Sequence, residues 1–178
     1  MNERYVRYQI TSLRREVSEA DWFYAQPEIA VDRGDIYKGI ANITLGAVAT
    51  VNLQMKTGSD SDVYLLGLDI LTTATRVTEK ILEAPTITDG TTELTMININ
   101  RQSTDMPGFT IYTDPTNVSA GTLIDQIEKY EAKKSPQGAS LVQAFRIKFK
   151  RDEDYVLQLI NGDNQSTLAF VKFYMLEI

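Results

Sequence analysis

The sequence contains no cysteine and no histidine. The first absence removes disulfides, thiolate metal sites and a cysteine nucleophile. The second removes the Ser-His-Asp triad, histidine-ligated zinc and the commonest general base near neutral pH. Glycine is sparse and scattered singly, and neither GxxxxGK[ST] nor GxGxxG occurs. Nucleotide binding through a glycine-rich loop therefore has no support. No run approaches the ~18 apolar residues of a membrane span. The opening MNERYVRYQITSLRRE lacks the apolar stretch of a secretory signal, so synthesis in a cytoplasm, with no membrane partner, is the expectation. Basic residues are outnumbered, 18 Lys and Arg against 24 Asp and Glu, giving a net charge of −6. An acidic surface repels phosphate backbones, which disfavours nucleic acid as a partner and favours a neutral or basic protein surface.

What the sequence does have is alternation. A hydrophobic content of 43% in 178 residues suits one domain with a sizeable core, extended by an arm. From about Ile36 the apolar period is two. In TVNLQMKTG, Val51, Leu53 and Met55 alternate with Asn52, Gln54 and Lys56, before the polar turn SDSD. In AFRIKFKRDEDY, Phe145, Ile147 and Phe149 face one way, and Arg146, Lys148 and Lys150 the other. The long VYLLGLDILTTATRVTEKILEAP favours strand, with Gly67 and Asp69 marking a bulge or bend, although RVTEKILEA also reads as helix. AGTLIDQIEKYEAKK fits either state. Asp89-Gly90 is a hairpin signal, and YVLQLINGDNQSTLAFVKFYMLEI reads as two strands around Asn161-Gly162. Short strands with Gly, Asn and Asp turns predict an all-β fold, an antiparallel β-sandwich or jelly roll over residues 34–178, rather than βαβ units.

Residues 1–33 differ, being charged and aromatic. Ser12 caps a predicted short helix to about Tyr24, with Leu13, Val17, Ala20 and Tyr24 on one stripe and Arg14, Arg15 and Glu19 opposite; Pro27 stops the pattern. This arm either seals one end of the sandwich or docks on another subunit. Arginine and aromatic side chains dominate interface hot spots. Arg4, Arg7, Arg14, Arg15, Trp22 and Tyr24 are therefore its expected partner contacts, and Arg101, Tyr112 and Tyr130 the expected loop contacts. Tyr155 is also placed at the surface. Phe145, Phe149, Phe170, Phe173 and Tyr174 are expected in the core.

Carboxylates are numerous enough for a glycosidase-like pair, with Asp60 and Asp62, Asp105 and Asp114, or Asp152, Glu153 and Asp154 as candidates. All fall in turns, where Asp is favoured for local hydrogen bonding. SDSD and NGDN are oxygen-rich, but neither matches a twelve-residue calcium loop with its terminal Glu. No catalytic residue, cofactor or metal is expected.

The order of segments carries a resemblance. Pro85, Thr86, Thr88, Gly90 and Thr91 lead to a polar strand with Asn98, Asn100 and Arg101. Asp114-Pro115 and Gly121-Thr122 follow, then Tyr155, Leu157, Leu159 and Asn161, and finally Tyr174 and Glu177. From about Val63 to Ile178 this resembles a family of tailed-phage and prophage virion proteins of β-sandwich type, with FYMLE where the family ends in WYE. The resemblance implies a capsid auxiliary or decoration protein on the virion surface. Its partners would be the major capsid protein and other virion subunits, in a homo-oligomer, a trimer about a capsid symmetry axis. The alternative is a tail- or fibre-associated or carbohydrate-binding module. The stretch TMININRQSTDMPGFTIYTDPTNVSAGTLI is then sandwich strand and exposed loop, with Asn100 and Arg101 fixing a loop.

Overall fold

Burial alternates along the long strands from Ile36 onward, as it must where one face of each strand lines a core. The computed structural model describes residues 27–130 and 139–178. Among the described residues there is one helix, α1 (Pro27–Arg33). After it come β1 (Ile36–Leu45), β2 (Thr50–Thr57), β3 (Val63–Thr72), β4 (Arg76–Glu83), β5 (Thr86–Thr88) and β6 (Met96–Asn98). Then follow β7 (Phe109–Tyr112), β8 (Thr116–Ser119), β9 (Thr122–Tyr130), β10 (Ala139–Lys148), β11 (Asp154–Asn161) and β12 (Thr167–Glu177).

The strands form two five-stranded antiparallel sheets and a ribbon. Sheet A has the order β10-β3-β12-β1-β6, sheet B the order β7-β2-β11-β4-β9, and β5 pairs with β8. With β6 and β7 set aside, successive strands alternate between the sheets except at β4 and β9, which pair with each other. That is jelly-roll connectivity, and the antiparallel sandwich expected from the sequence is the fold. Leu53 and Met55, Leu68 and Ile70, and Leu157 and Phe173 fill the space between the sheets, all nearly inaccessible to water. Truncating one such leucine to alanine costs about 2–5 kcal/mol, because the cavity left behind collapses only partly.

Residues 84–121 are an excursion. They leave after Glu83 and return at Thr122, two residues that pair directly. On the way they add β6 to the free edge of β1 and β7 to the free edge of β2. Tyr37 of β1 meets Phe109 of β7 edge-on, with centroids 5.8 Å apart, so one segment closes the same side of both sheets. At the return, Gly121 has φ +92°, and a Cβ there would lie 3.1 Å from the Glu83 carbonyl oxygen. Glycine is the residue that fits both the dihedral and the space.

Several expectations change. Pro27 begins α1, which its fixed φ and missing N–H favour at a first helical position. The predicted helix over residues 12–24 lies outside the described residues. RVTEKILEA and the following ambiguous segment are strands β4 and β9, paired with each other. Asp89-Gly90 makes no hairpin of neighbouring strands, since β5 pairs with β8 and β6 with β1. Gly67 does mark a bulge: β12 pairs Tyr174 with Gly67 but Met175 with Leu65, leaving Leu66 over. Tyr155 is fully buried, its hydroxyl accepting from the Lys150 backbone N–H at 2.7 Å and donating to Glu83. Phe170 points outward and is 45% exposed, because its place in the β12 alternation is on the outer face.

β11 and β12 flank Asn161-Gly162 as expected, but they belong to different sheets. Asn161 holds that crossing. Its buried amide donates to the carbonyls of Gly46 and Gln165, both at 2.9 Å, and its Oδ1 accepts from the Asp163 N–H at 2.9 Å. Asp163 in turn accepts from the Thr75 N–H and hydroxyl, so three turns at one end of the sandwich are tied together. Asn161→Ala strands those buried groups and is expected to lower the unfolding free energy by about 3 kcal/mol, read from urea curves with unchanged slope.

Candidate contact surfaces

The excursion covers part of the outer face of sheet B, and polar side chains fasten it. Gln54 lies on that outer face, yet it is completely buried. Its amide donates to Asp89 and Asp154, both at 2.9 Å, and its oxygen accepts from the Gly90 N–H at 3.0 Å. A Cβ on Gly90 would lie 2.6 Å from Cβ of Tyr112, so the loop approaches too closely for a larger residue. Asp114 accepts the N–H and hydroxyl groups of Thr91 and Thr92, at 2.8 and 2.9 Å. The Thr92 N–H above all holds the Asp114 carboxyl down at about 2.

Sheet A has an outer face of two halves. At one end α1 lies on it, with Ala30 buried against Ile36 and Leu176, and Val31, Tyr64, Leu66 and Ile99 packed around them. At the other end Ile40, Leu168 and Phe170 are 46%, 59% and 45% exposed. Phe170 pairs with both Asn42 and Leu71, and Leu168 with Thr44, so these residues form adjacent rows. An open hollow of about 650 Å³ is lined there by Leu71, Leu168 and Phe170 together with Thr44, Thr73 and Thr167, the last two joined through their hydroxyls.

The contact residues expected from the sequence do not assemble into one site. Arg4, Arg7, Arg14, Arg15, Trp22 and Tyr24 lie outside the described residues. Arg101 is exposed in the turn after β6, and Asn100 does fix that loop, its amide donating to the Asp32 carbonyl at 2.9 Å. Tyr112 is half-buried on β7, one edge of sheet B; Tyr130 ends β9, the opposite edge. The apolar rows of sheet A were missed as a surface because Phe170 reads as core when its strand is taken as buried on both faces.

Candidate carboxylates are largely bound into the fold. Asp62 takes the ammonium of Lys148 and the guanidinium of Arg151, Asp105 holds Ser103, and Asp154 holds Gln54. Among the described residues no group of three or more acidic side chains could hold a metal ion. A different pair stands out. Glu79 on β4 lies opposite Ile127, and Asp125 on β9 lies opposite Ile81, two positions along the same face. Glu79 is 2% exposed, and one oxygen of each carboxyl is buried without a hydrogen-bond partner among the described residues. Alternation conceals such a pair, since Glu79 occupies an inward position of an apolar strand between Val77 and Ile81.

No protein-family model and no curated protein matches the chain.

Burial first, and the charge of Asp125 second, push the Glu79 carboxyl up to about 7. A raised acid binds its proton more tightly in the folded state. Its stabilising contribution is complete below the ordinary value of 4.5 and is lost as pH rises towards about 7. Thermal or urea unfolding across pH 4.5 to 8 should show this decline, bounded at about 3 kcal/mol. Glu79→Gln is expected to flatten it and to exceed the parent chain in stability at pH 8.

Proposed function

We propose that the chain is a non-enzymatic structural protein of a tailed-phage or prophage virion, a head decoration or auxiliary capsid subunit that binds the major capsid lattice. One observation carries the reading. Several residues through which the sequence resembles such virion proteins also hold the excursion on the jelly roll. Asn98 donates to the Gly34 carbonyl at 2.6 Å, Asn100 to that of Asp32, and Asp114 gathers Thr91 and Thr92. Glu177 accepts the Gly108 N–H at 2.9 Å, and Gly121 permits the return to β9. These bonds support an architectural role for the matched residues, and a jelly roll alone does not define a function. Contact as the function is favoured by the exposed apolar rows of sheet A and by carboxylates engaged in holding loops. The arm, with Arg4, Arg7, Arg14, Arg15, Trp22 and Tyr24, supplies the partner contacts in this reading, and the assembly is a homo-oligomer.

A second reading rests on the hollow beside Phe170. An exposed phenyl ring among threonine hydroxyls suits a sugar ring, as in a carbohydrate-binding module of a tail or fibre. A glycan array in which the parent chain binds and Phe170→Ala does not would favour it.

Immunogold electron microscopy on particles from the source culture separates the two. Label over heads is expected; label confined to tails supports the second reading, and particles without label count against both. A chain starting at Pro27 keeps Ala30 and Val31 on sheet A and is expected to unfold cooperatively with the parent midpoint. The same truncation should abolish co-sedimentation with capsids.

A further inference from the structure

Asn161-Gly162 is the single Asn-Gly pair of the chain. In an open chain such a pair is chemically labile, because glycine has no Cβ to hinder its own backbone nitrogen. That nitrogen, on losing its proton, attacks Cγ of the asparagine. The new N–C bond closes a five-membered succinimide, and the side-chain nitrogen leaves with the proton as ammonia. Water then opens the ring at either carbonyl, giving aspartate or isoaspartate.

The fold opposes each part of this reaction. The Gly162 N–H donates to the Arg76 carbonyl at 2.9 Å, so the attacking nitrogen is held with its proton engaged. The Asn161 side chain is fully buried, away from the water that hydrolysis needs. Its Nδ2 donates to Gly46 and Gln165 and its Oδ1 accepts from Asp163, which fixes Cγ among three partners. Neither residue is easily exchanged for a less reactive one. A Cβ at position 162 would lie 2.5 Å from Cδ of Arg76. At position 161 the side chain must both donate to carbonyls and accept an N–H, as a carboxylate cannot. The structure requires the very pair whose chemistry it restrains.

We infer that Asn161 is a latent modification site, inert in the folded chain and converted to aspartate or isoaspartate once the β11–β12 crossing opens, and that conversion bars the return. Aspartate would set an acceptor against the carbonyls of Gly46 and Gln165 in a buried place. Isoaspartate would route the main chain through the former side chain and add a methylene between positions 161 and 162. That displaces the Gly162 N–H from Arg76 and disturbs the end of the ladder, where Asn161 pairs with Val77. Unfolding that is reversible at first thus becomes irreversible with time, through one residue.

The full chain is held at pH 8 and 37 °C, with and without denaturing guanidinium chloride, and the peptide containing Asn161 is followed by mass. Conversion should be at least about a hundredfold slower in the folded chain, where opening is rare. The denatured sample is then diluted, and its refolded and non-refolded fractions are separated and mapped. Converted residue 161 should be depleted at least about tenfold in the refolded fraction. Other asparagines that deamidate in the denaturant are mapped in the same fractions, so their damage is told apart. Equal conversion rates in the folded and denatured chain would overturn the protection. Converted residue 161 found as often in refolded as in non-refolded chains would overturn the barred return.

Discussion

The pairing of β1 with β12 is the constraint on which the rest depends. The first and last long strands lie side by side in the middle of sheet A, in unbroken register from Ile36 opposite Leu176 to Leu45 opposite Thr167. Their residues are about 120 to 140 apart in sequence. β12 also pairs with β3, so the centre of sheet A is incomplete until the C-terminal strand arrives. Non-local pairing of this kind places the chain among slow-folding topologies. The end of β12 reaches further still. Glu177 takes the Gly108 N–H and the Ser61 hydroxyl, and Ile178 exchanges two backbone hydrogen bonds with Asp62. One strand therefore fixes the sheet, the excursion and the β2–β3 turn together.

Polar side chains divide into two kinds. Gln54, Asn161 and Asp114 sit where loops cross or fold back, and each gathers several backbone or hydroxyl groups. The buried groups of Gln54 and Asn161, satisfied in this way, specify one loop arrangement, because any other leaves them unpaired. Glu79 and Asp125 are the contrary case. They lie among apolar residues on adjacent strands with acceptors left over, and burial above all opposes ionisation of Glu79. The first kind confers definition, and the second makes the β4–β9 edge responsive to protons.

The sequence made the long strands legible and the path between them less so. Alternation marks β2 and β11, whose residues Leu53, Met55, Leu157 and Leu159 line the core, and Gly67 announced its bulge because a missing side chain breaks the pattern. Helical spacing in RVTEKILEA was a coincidence of short apolar repeats, which pairing with β9 overrides. Asp89-Gly90 misled for a different reason. Its turn-forming residues bend the chain onto Gln54, a partner 36 positions away in sequence, and local chemistry carries no record of that. The surface of sheet A was hidden for a related reason: in β12 the apolar residues occupy both faces, and only the sheet order shows which face lacks a neighbour. Glu79 illustrates the limit, since its phase with Val77 and Ile81 places it inward while its charge suggests solvent, and only the sheet pairing decides between them.

The neck of the excursion has a consequence of its own. Glu83 and Thr122 are partners on one rung of the β4–β9 ladder, so the inserted segment starts and finishes at points about 5 Å apart. A chain that leaves and re-enters through so narrow a gate asks of the β4 and β9 backbones only the closing of a single turn. Natural variation can therefore lengthen or replace the loops of this cassette, provided that Phe109 and Ile111 of β7 keep their places in the hydrophobic interior. The constraint falls instead on the two seams where β6 and β7 meet the sheets. A replacement that fails to cover them would leave the edges of β1 and β2 open as templates for neighbouring chains.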